Sequence, residues 1–306
     1  MHLSSHTKAL LVLVLGGTII GFSAILVRLT QTGPAAAGFW RLSFALPFLL
    51  AFAGWRGMPK LGATSPKVLV LSGVMFAADL LCWHYGLHLT SVANATVLAN
   101  LTPVVITVVA WLVFKEQPAN LFLAALALAV GGAAIMTWAE HGGGPTSAQG
   151  SNPLLGDALS TITTLWYGGY FLAVREARKT AGAMTIMIWS TAVGVPLMLV
   201  AAILLGEPIL PTAASGWLAC IGLGLVHVGG QGCIAWSLGR LSAALAAIVM
   251  LVQPIVAALL GWALLGEPVA GLQAAGAGVA LAGICLAQLS TRQPSAPIAG
   301  DGAQVG

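Results

Sequence analysis

Apolar residues come in long runs along this chain, and the polar residues gather in short stretches between them. A helix needs about 20 apolar residues to cross a bilayer. Ten segments reach or approach that length: Ala9–Val27, Pro34–Ala53, Val68–Leu87, Val92–Phe114, Leu121–Trp138, Leu154–Val174, Met184–Leu205, Trp217–Leu238, Ala243–Leu265 and Leu272–Leu289. The connections hold the helix breakers Gly33-Pro34, Gly57-Met58-Pro59, Gln117-Pro118, Glu207-Pro208 and Glu267-Pro268. The pattern predicts an all-α membrane protein of ten transmembrane helices. The longest connection, Glu140–Pro153, is rich in Gly and Ser, and the tail Arg292–Gly306 has little to pack and reads as disordered. The expected organisation is a first five-helix unit over 1–139, an extracytoplasmic linker over 140–153, a second unit over 154–290 and a disordered cytoplasmic tail over 291–306.

The two halves are related. Ser91–Trp138 lies on Ser242–Leu289 at a shift of 151 without a gap, placing Pro103 on Pro254, Trp111 on Trp262, Glu116 on Glu267 and Gly132 on Gly283. Only 12 of the 48 positions are identical and half of those are Ala or Val, so the signal is the shared register of Pro, Trp, Glu and Gly. A repeat inside an apolar chain marks transporter architecture. The first segment also has a partner, since Gly21–Arg28 matches the spacing of Gly168–Arg175. With that partner and no cleavage site, it reads as a helix and not a signal peptide.

Composition agrees with a membrane location: 58% of residues are hydrophobic and 7% charged, against about 25% charged in soluble domains. The net charge of +4 comes from 12 Lys and Arg with no basic run, so no nucleic-acid partner is expected. With the N-terminus in the cytoplasm, ten of these cations fall inside and two, Arg28 and Arg41, outside. Both termini are therefore expected to be cytoplasmic. Five helices per repeat is an odd number, so the repeats are inverted, with a substrate site near the midplane between them. The cysteines Cys82, Cys220, Cys233 and Cys285 lie in apolar spans without a CxxC, which argues against a disulfide framework or a metal site.

Polar groups inside spans are the candidate chemistry. Helix three carries Asp79, Trp83 and His84. An ionisable group there is a functional candidate because lipid burial is costly. Asp79 is a candidate for proton coupling, or else bonds a neighbouring helix. Gln231 in helix eight lies on the ridge equivalent to that of His84, with His227 one turn before it read as a satisfied polar residue. Asn100 in helix four and Gln253 in helix nine can read polar ligand groups, or bond between helices. Trp166 and Tyr170 share a face of helix six and can stack on a ligand. Pro103 and Pro254 sit mid-span and free the carbonyls of Ala99 and Met250, predicting kinks or hinges. Gly16-Gly17 and Gly131-Gly132 read as close-packing sites. Arg28, Arg41 and Arg240 read as lying near span ends, leaving the midplane without a cation.

There is no HExxH, nucleophile elbow, Walker loop or paired-carboxylate motif, so no catalytic residue, metal or cofactor is expected. The two five-helix repeats, the repeated mid-helix proline and the Glu after helices four and nine (Lys115-Glu116-Gln117-Pro118, Gly266-Glu267-Pro268) resemble the EamA family of the drug/metabolite transporter superfamily, over residues 8–290. Within it, Trp83-His84-Tyr85 with Trp166 and Tyr170 looks most like the aromatic amino acid exporters of the YddG type. The resemblance implies efflux of aromatic amino acids and related hydrophobic metabolites across a bacterial inner membrane. The expected substrate-site residues are Trp83, His84, Trp166 and Tyr170, which carry the resemblance, and Asn100, Gln231 and Gln253, read from their places in the spans. A functional monomer exporting small amphipathic molecules by alternating access is the expected function. The alternatives are a nucleotide-sugar-like carrier, which needs a cation in the cavity, a broad-range drug/metabolite efflux carrier, and a channel.

Overall fold

Half of the helices begin where a side chain or a proline can close the first turn. Ser4 accepts a hydrogen bond from the Thr7 amide (3.1 Å), Ser91 from Asn94 (3.2 Å) and Asn152 from Leu155 (3.2 Å), while Pro66 and Pro153 open their helices at a position whose amide needs no partner. The computed structural model describes residues 4–56, 65–102, 104, 105, 108, 120–141, 151–238, 241 and 249–290. Among them run α1 (Ser5–Leu29), α2 (Pro34–Arg56), α3 (Pro66–Leu89), α4 (Val92–Ala99), α5 (Asn120–His141), α6 (Pro153–Ala177), α7 (Ala183–Leu204), α8 (Ala214–Leu238), α9 (Val252–Leu265) and α10 (Gly271–Ser290). Six of these, α1, α2, α3, α5, α7 and α8, are long and apolar enough to cross a membrane. The segments 57–64 and 142–150 and the tail from 291 lie outside the described residues.

The helix pairs repeat with a period of five. α1 packs on α8 as α6 packs on α3, α1 on α9 as α6 on α4, and α2 on α8 as α7 on α3, while α2–α7, α4–α9 and α5–α10 are each their own equivalent. The α5–α10 crossing shows the symmetry at atomic level. A Cβ on Gly132 would strike the Ala280 and Gly276 backbone, and one on Gly283 would strike the backbone of Ala129 and Ala125, the residues 151 positions earlier. Gly16 and Gly17 of α1 are likewise pressed against Cys233 and Val252. Gly131 departs from the sequence reading, since nothing lies within 4 Å of a Cβ there and it faces outward.

The uninterrupted spans expected over Val92–Phe114 and Ala243–Leu265 are broken. α4 stops at Ala99, and Asn100 and Leu101 form a turn; Met250 and Leu251 form a turn before α9. The two breaks overlap in the repeat register, with Asn100 on Leu251. Pro254 stands at the third position of α9, where a missing amide costs no helical bond. Pro103 lies outside the described residues. The carbonyls expected to be freed find local partners: Ala99 accepts from the Thr102 hydroxyl (3.0 Å) and Met250 from the Gln253 amide (3.0 Å). Leu11, Leu15, Phe48, Val130, Leu172, Val200 and Leu259 are exposed around the bundle, an apolar belt suited to acyl chains.

Candidate functional site

A polar cluster lies where α2, α3, α6 and α8 meet. Arg41 comes seven residues after Pro34, about 10 Å into the bundle at 1.5 Å per residue. The sequence reads Arg41 as near a span end; at 3% exposed it is buried in the bundle there. Its guanidinium carbon stands 5.9 Å from the Trp83 ring centroid. Nε and Nη1 of Arg41 have no hydrogen-bond partner. Asp79 interacts electrostatically with it, yet no ion pair joins the two.

His84 is fully buried beside Trp83, with ring centroids 5.6 Å apart. Its Nδ1 lies 3.0 Å from the Pro34 carbonyl oxygen. A carbonyl can only accept, so Nδ1 carries the proton and Nε2 of the neutral ring presents a lone pair. Nε2 has no partner. From α8, buried His227 turns its ring toward Phe76 (5.6 Å), with Nε2 3.5 Å from the Thr191 hydroxyl and Nδ1 unpartnered. It is therefore not the satisfied residue expected. Phe76 in turn meets Tyr170 at 5.1 Å, and Tyr170 meets Tyr167 at 6.0 Å.

The structure thus brings Asp79, Trp83, His84 and Tyr170 together and adds Arg41, His227 and Phe76. Trp166 lies at the edge, its indole reaching Cys82 of α3, and remains 36% exposed. Asn100 is spent locally, its side-chain amide donating to the Thr96 carbonyl (2.8 Å) at the end of α4. Gln253 lies at the start of α9, its carbonyl oxygen pressed toward Gly21 of α1. Gln231 is half-buried on α8, one turn beyond His227.

A family model described as "EamA-like transporter family" matches residues 7–138 and again residues 154–289. The chain belongs to the EamA-like transporter family. The doubled match is the repeat seen in the sequence and in the helix pairing. No curated protein matches the chain significantly. A solved structure described as "Crystal structure of protein" superposes with a TM-score of 0.64 at 18% identity, covering 92% of this chain and 97% of that chain. At that identity the likeness speaks for the fold. An EamA chain with these apolar helices is a multi-pass membrane transporter, with a small-molecule substrate and lipid around it.

One end of this EamA bundle is closed by carboxylates. Two Gly-Glu-Pro turns, at 206–208 and 266–268, follow α7 and α9. Gly206 (φ 65°) and Gly266 (φ 66°) take the left-handed conformation that ends a helix. Glu207 accepts from the Ala35 and Ala36 amides (3.2 and 2.9 Å) at the start of α2, and from the Tyr85 hydroxyl. Glu267 accepts from the Val92 amide (3.0 Å) at the start of α4. Both carboxylates meet helix N-termini, where exposed amides favour negative charge. Glu267 Oε1 also lies 2.8 Å from Arg28 Nη1, an ion pair without hydrogen-bond geometry, and Arg28 donates to the Leu87 and Thr90 carbonyls. Burial raises the Glu267 carboxyl above its ordinary value, with Arg28 and the Val92 amide opposing.

Beside this, Asp157 of α6 takes Thr90 (2.7 Å), Thr137 (2.8 Å) and Asn94 (3.2 Å) as donors. A groove of about 480 Å³ between α4, α5 and α6 is lined by Leu98, Leu101, Val130, Ala133 and Leu154. Its lining is apolar and contains no residue of the central cluster, so it suits a lipid chain better than a polar cargo.

Proposed function

We propose that this chain is a secondary transporter of the bacterial inner membrane. It exports aromatic amino acids and related small hydrophobic metabolites by alternating access, as a functional monomer. The observation that carries this reading is the aromatic wall, Trp83, Phe76 and Tyr170, set against the buried polar groups of Asp79 and His84 between the two repeats. An aromatic side chain gains about 0.5–1.5 kcal/mol from such rings beyond its burial. Trp166, at the edge of the wall, is where a ligand enters or leaves the stack. Asn100, Gln231 and Gln253 serve as secondary polar contacts reached once the broken helices α4 and α9 move. In this reading the inverted repeats put both termini in the cytoplasm, and the closed end is extracytoplasmic. Reporter fusions at residues 143 and 306 are expected to read outside and inside respectively; the reverse pair of signals overturns the orientation, and the same side for both removes the inverted arrangement.

The function is tested by counterflow in liposomes. Wild type is expected to exchange phenylalanine, while Tyr170→Ala and His84→Ala lose it and Trp166→Ala loses it more than it loses small apolar amino acids. Parental phenylalanine rates in all three variants would move the cavity elsewhere. Asp79→Asn is expected to change the pH dependence of exchange; an unchanged profile makes Asp79 a packing residue. A second reading, a nucleotide-sugar-like carrier of anions, draws on the buried guanidinium of Arg41. Exchange of sugar nucleotides without exchange of amino acids would favour it.

A further inference from the structure

We infer that Arg41 is the carboxylate anchor of a zwitterion site, with His84 Nε2 and Asp79 as the acceptors for the same ligand's ammonium group. The inference rests on the export reading above and narrows it to molecules that carry both charges.

The groups around Arg41 do not satisfy one another. A guanidinium inside a membrane bundle needs an anion or several acceptors, because burying it unpaired is costly. Arg41 is 3% exposed, and its Nε and Nη1 donate to nothing. Trp83 offers only its ring face, at 5.9 Å. The nearby carboxylate, Asp79, is not in contact, since the ion pairs among the described residues are Arg28–Glu267 and Lys179–Glu176. On the other side, His84 Nε2 is an acceptor without a donor, held in that role by the Pro34 carbonyl on Nδ1. Donors and acceptors thus stand unpaired across one small region, where a direct contact would have been simpler.

An α-amino acid fits both halves. Its carboxylate takes one of the free N–H groups of Arg41, whose Nε and Nη1 donate at different edges of the guanidinium, in a charge-assisted hydrogen bond. Its ammonium donates to His84 Nε2 and toward Asp79. Its side chain then lies along Phe76 and Tyr170. The ligand is neutral overall, as is the pair of Arg41 and Asp79, so occupancy leaves the net charge of the site unchanged. A carrier that must release its cargo benefits from that balance.

The test uses the purified full-length chain in liposomes, with phenylalanine, phenylalaninamide, phenethylamine and 3-phenylpropionate as probes. Wild type is expected to exchange phenylalanine at least about ten-fold faster than any analogue lacking one charge, the loss expected for a charge-assisted hydrogen bond left unmade. Arg41→Gln is expected to lose phenylalanine exchange by a similar factor, keep its rate for phenylalaninamide and so lose the preference. Arg41→Lys retains part of the preference. Wild type that carries phenylalaninamide as fast as phenylalanine overturns the proposal, and that measurement does not depend on any variant folding. Equal loss of both substrates in Arg41→Gln overturns it too, since a packing role moves both. If wild type carries no aromatic amino acid, the export reading has failed. The anchor is then read from the melting temperature of wild type with 3-phenylpropionate or phenylalaninamide: stabilisation by the carboxylate alone retains it, and no difference between the two ends it.

Discussion

Glu267→Ala is expected to cost about 3–5 kcal/mol, the range for breaking a buried ion pair by removing one partner. The loss has two parts. Arg28, 19% exposed at its side chain, loses this ion pair and keeps the Leu87 and Thr90 carbonyls. The Val92 amide at the start of α4 also loses its acceptor. The closed end then loosens where α1, α3, α4 and α9 meet, and melting in detergent falls sharply. Glu267→Gln is the milder control, because an amide oxygen can still accept from Val92. It also isolates the charge. The native carboxyl is raised by burial above its ordinary 4.5. The native state therefore binds the proton more tightly than the unfolded chain, and the contribution of Glu267 to stability falls as pH rises from about 4.5 through the native value. Melting curves across that window are expected to slope less in Glu267→Gln than in wild type. Equal slopes would mean that the carboxyl does not titrate there.

Asp157→Ala is the second large effect. The carboxylate is 4% exposed and takes donors from the end of α3 (Thr90), from α4 (Asn94) and from α5 (Thr137). Asn94 passes the network on, since its side-chain oxygen accepts from Gln273 of α10 at 2.9 Å. Each buried donor left unmade costs about 1–3 kcal/mol and the three are coupled, so a total of about 3 kcal/mol or more is expected. Asp157→Asn should retain much of this. It keeps one acceptor oxygen, and threonine hydroxyls can turn to accept from the new amide. If alanine and asparagine variants melt alike and close to wild type, the network contributes little.

Much of this architecture could be read from the chain because lipid burial demands long apolar runs, and Gly-Pro turns end them visibly. The repeat register pairs Gly132 with Gly283, which press on equivalent backbone, and Pro254 stands four residues after the turn at Met250. Arg41 reads as near a span end, and its burial follows from its place seven residues after Pro34. In the sequence Glu207 reads only as part of a helix-breaking Glu-Pro pair, and Glu267 as such a pair that also marks the repeat and the family. Their role depends on which helix start lies across the bundle, and those amides are 172 and 175 residues away in sequence. Asn100 had the right residue type for a ligand contact, but a broken helix leaves carbonyls near the break, and the side chain bonds one of them.

The α5–α10 crossing bears on how freely the two copies could drift apart after duplication. Where a residue of one repeat meets an unrelated position of the other, each copy changes alone, and Leu80 in one corresponds to Gln231 in the other. Gly132 and Gly283 have no such freedom. Each faces the backbone at equivalent positions of its own counterpart helix, so adding a side chain to either separates the same two helices. Neither copy can relax the constraint for the other. The glycines on this crossing have therefore kept the symmetry of the original duplication, while the polar centre a few helices away has become unequal.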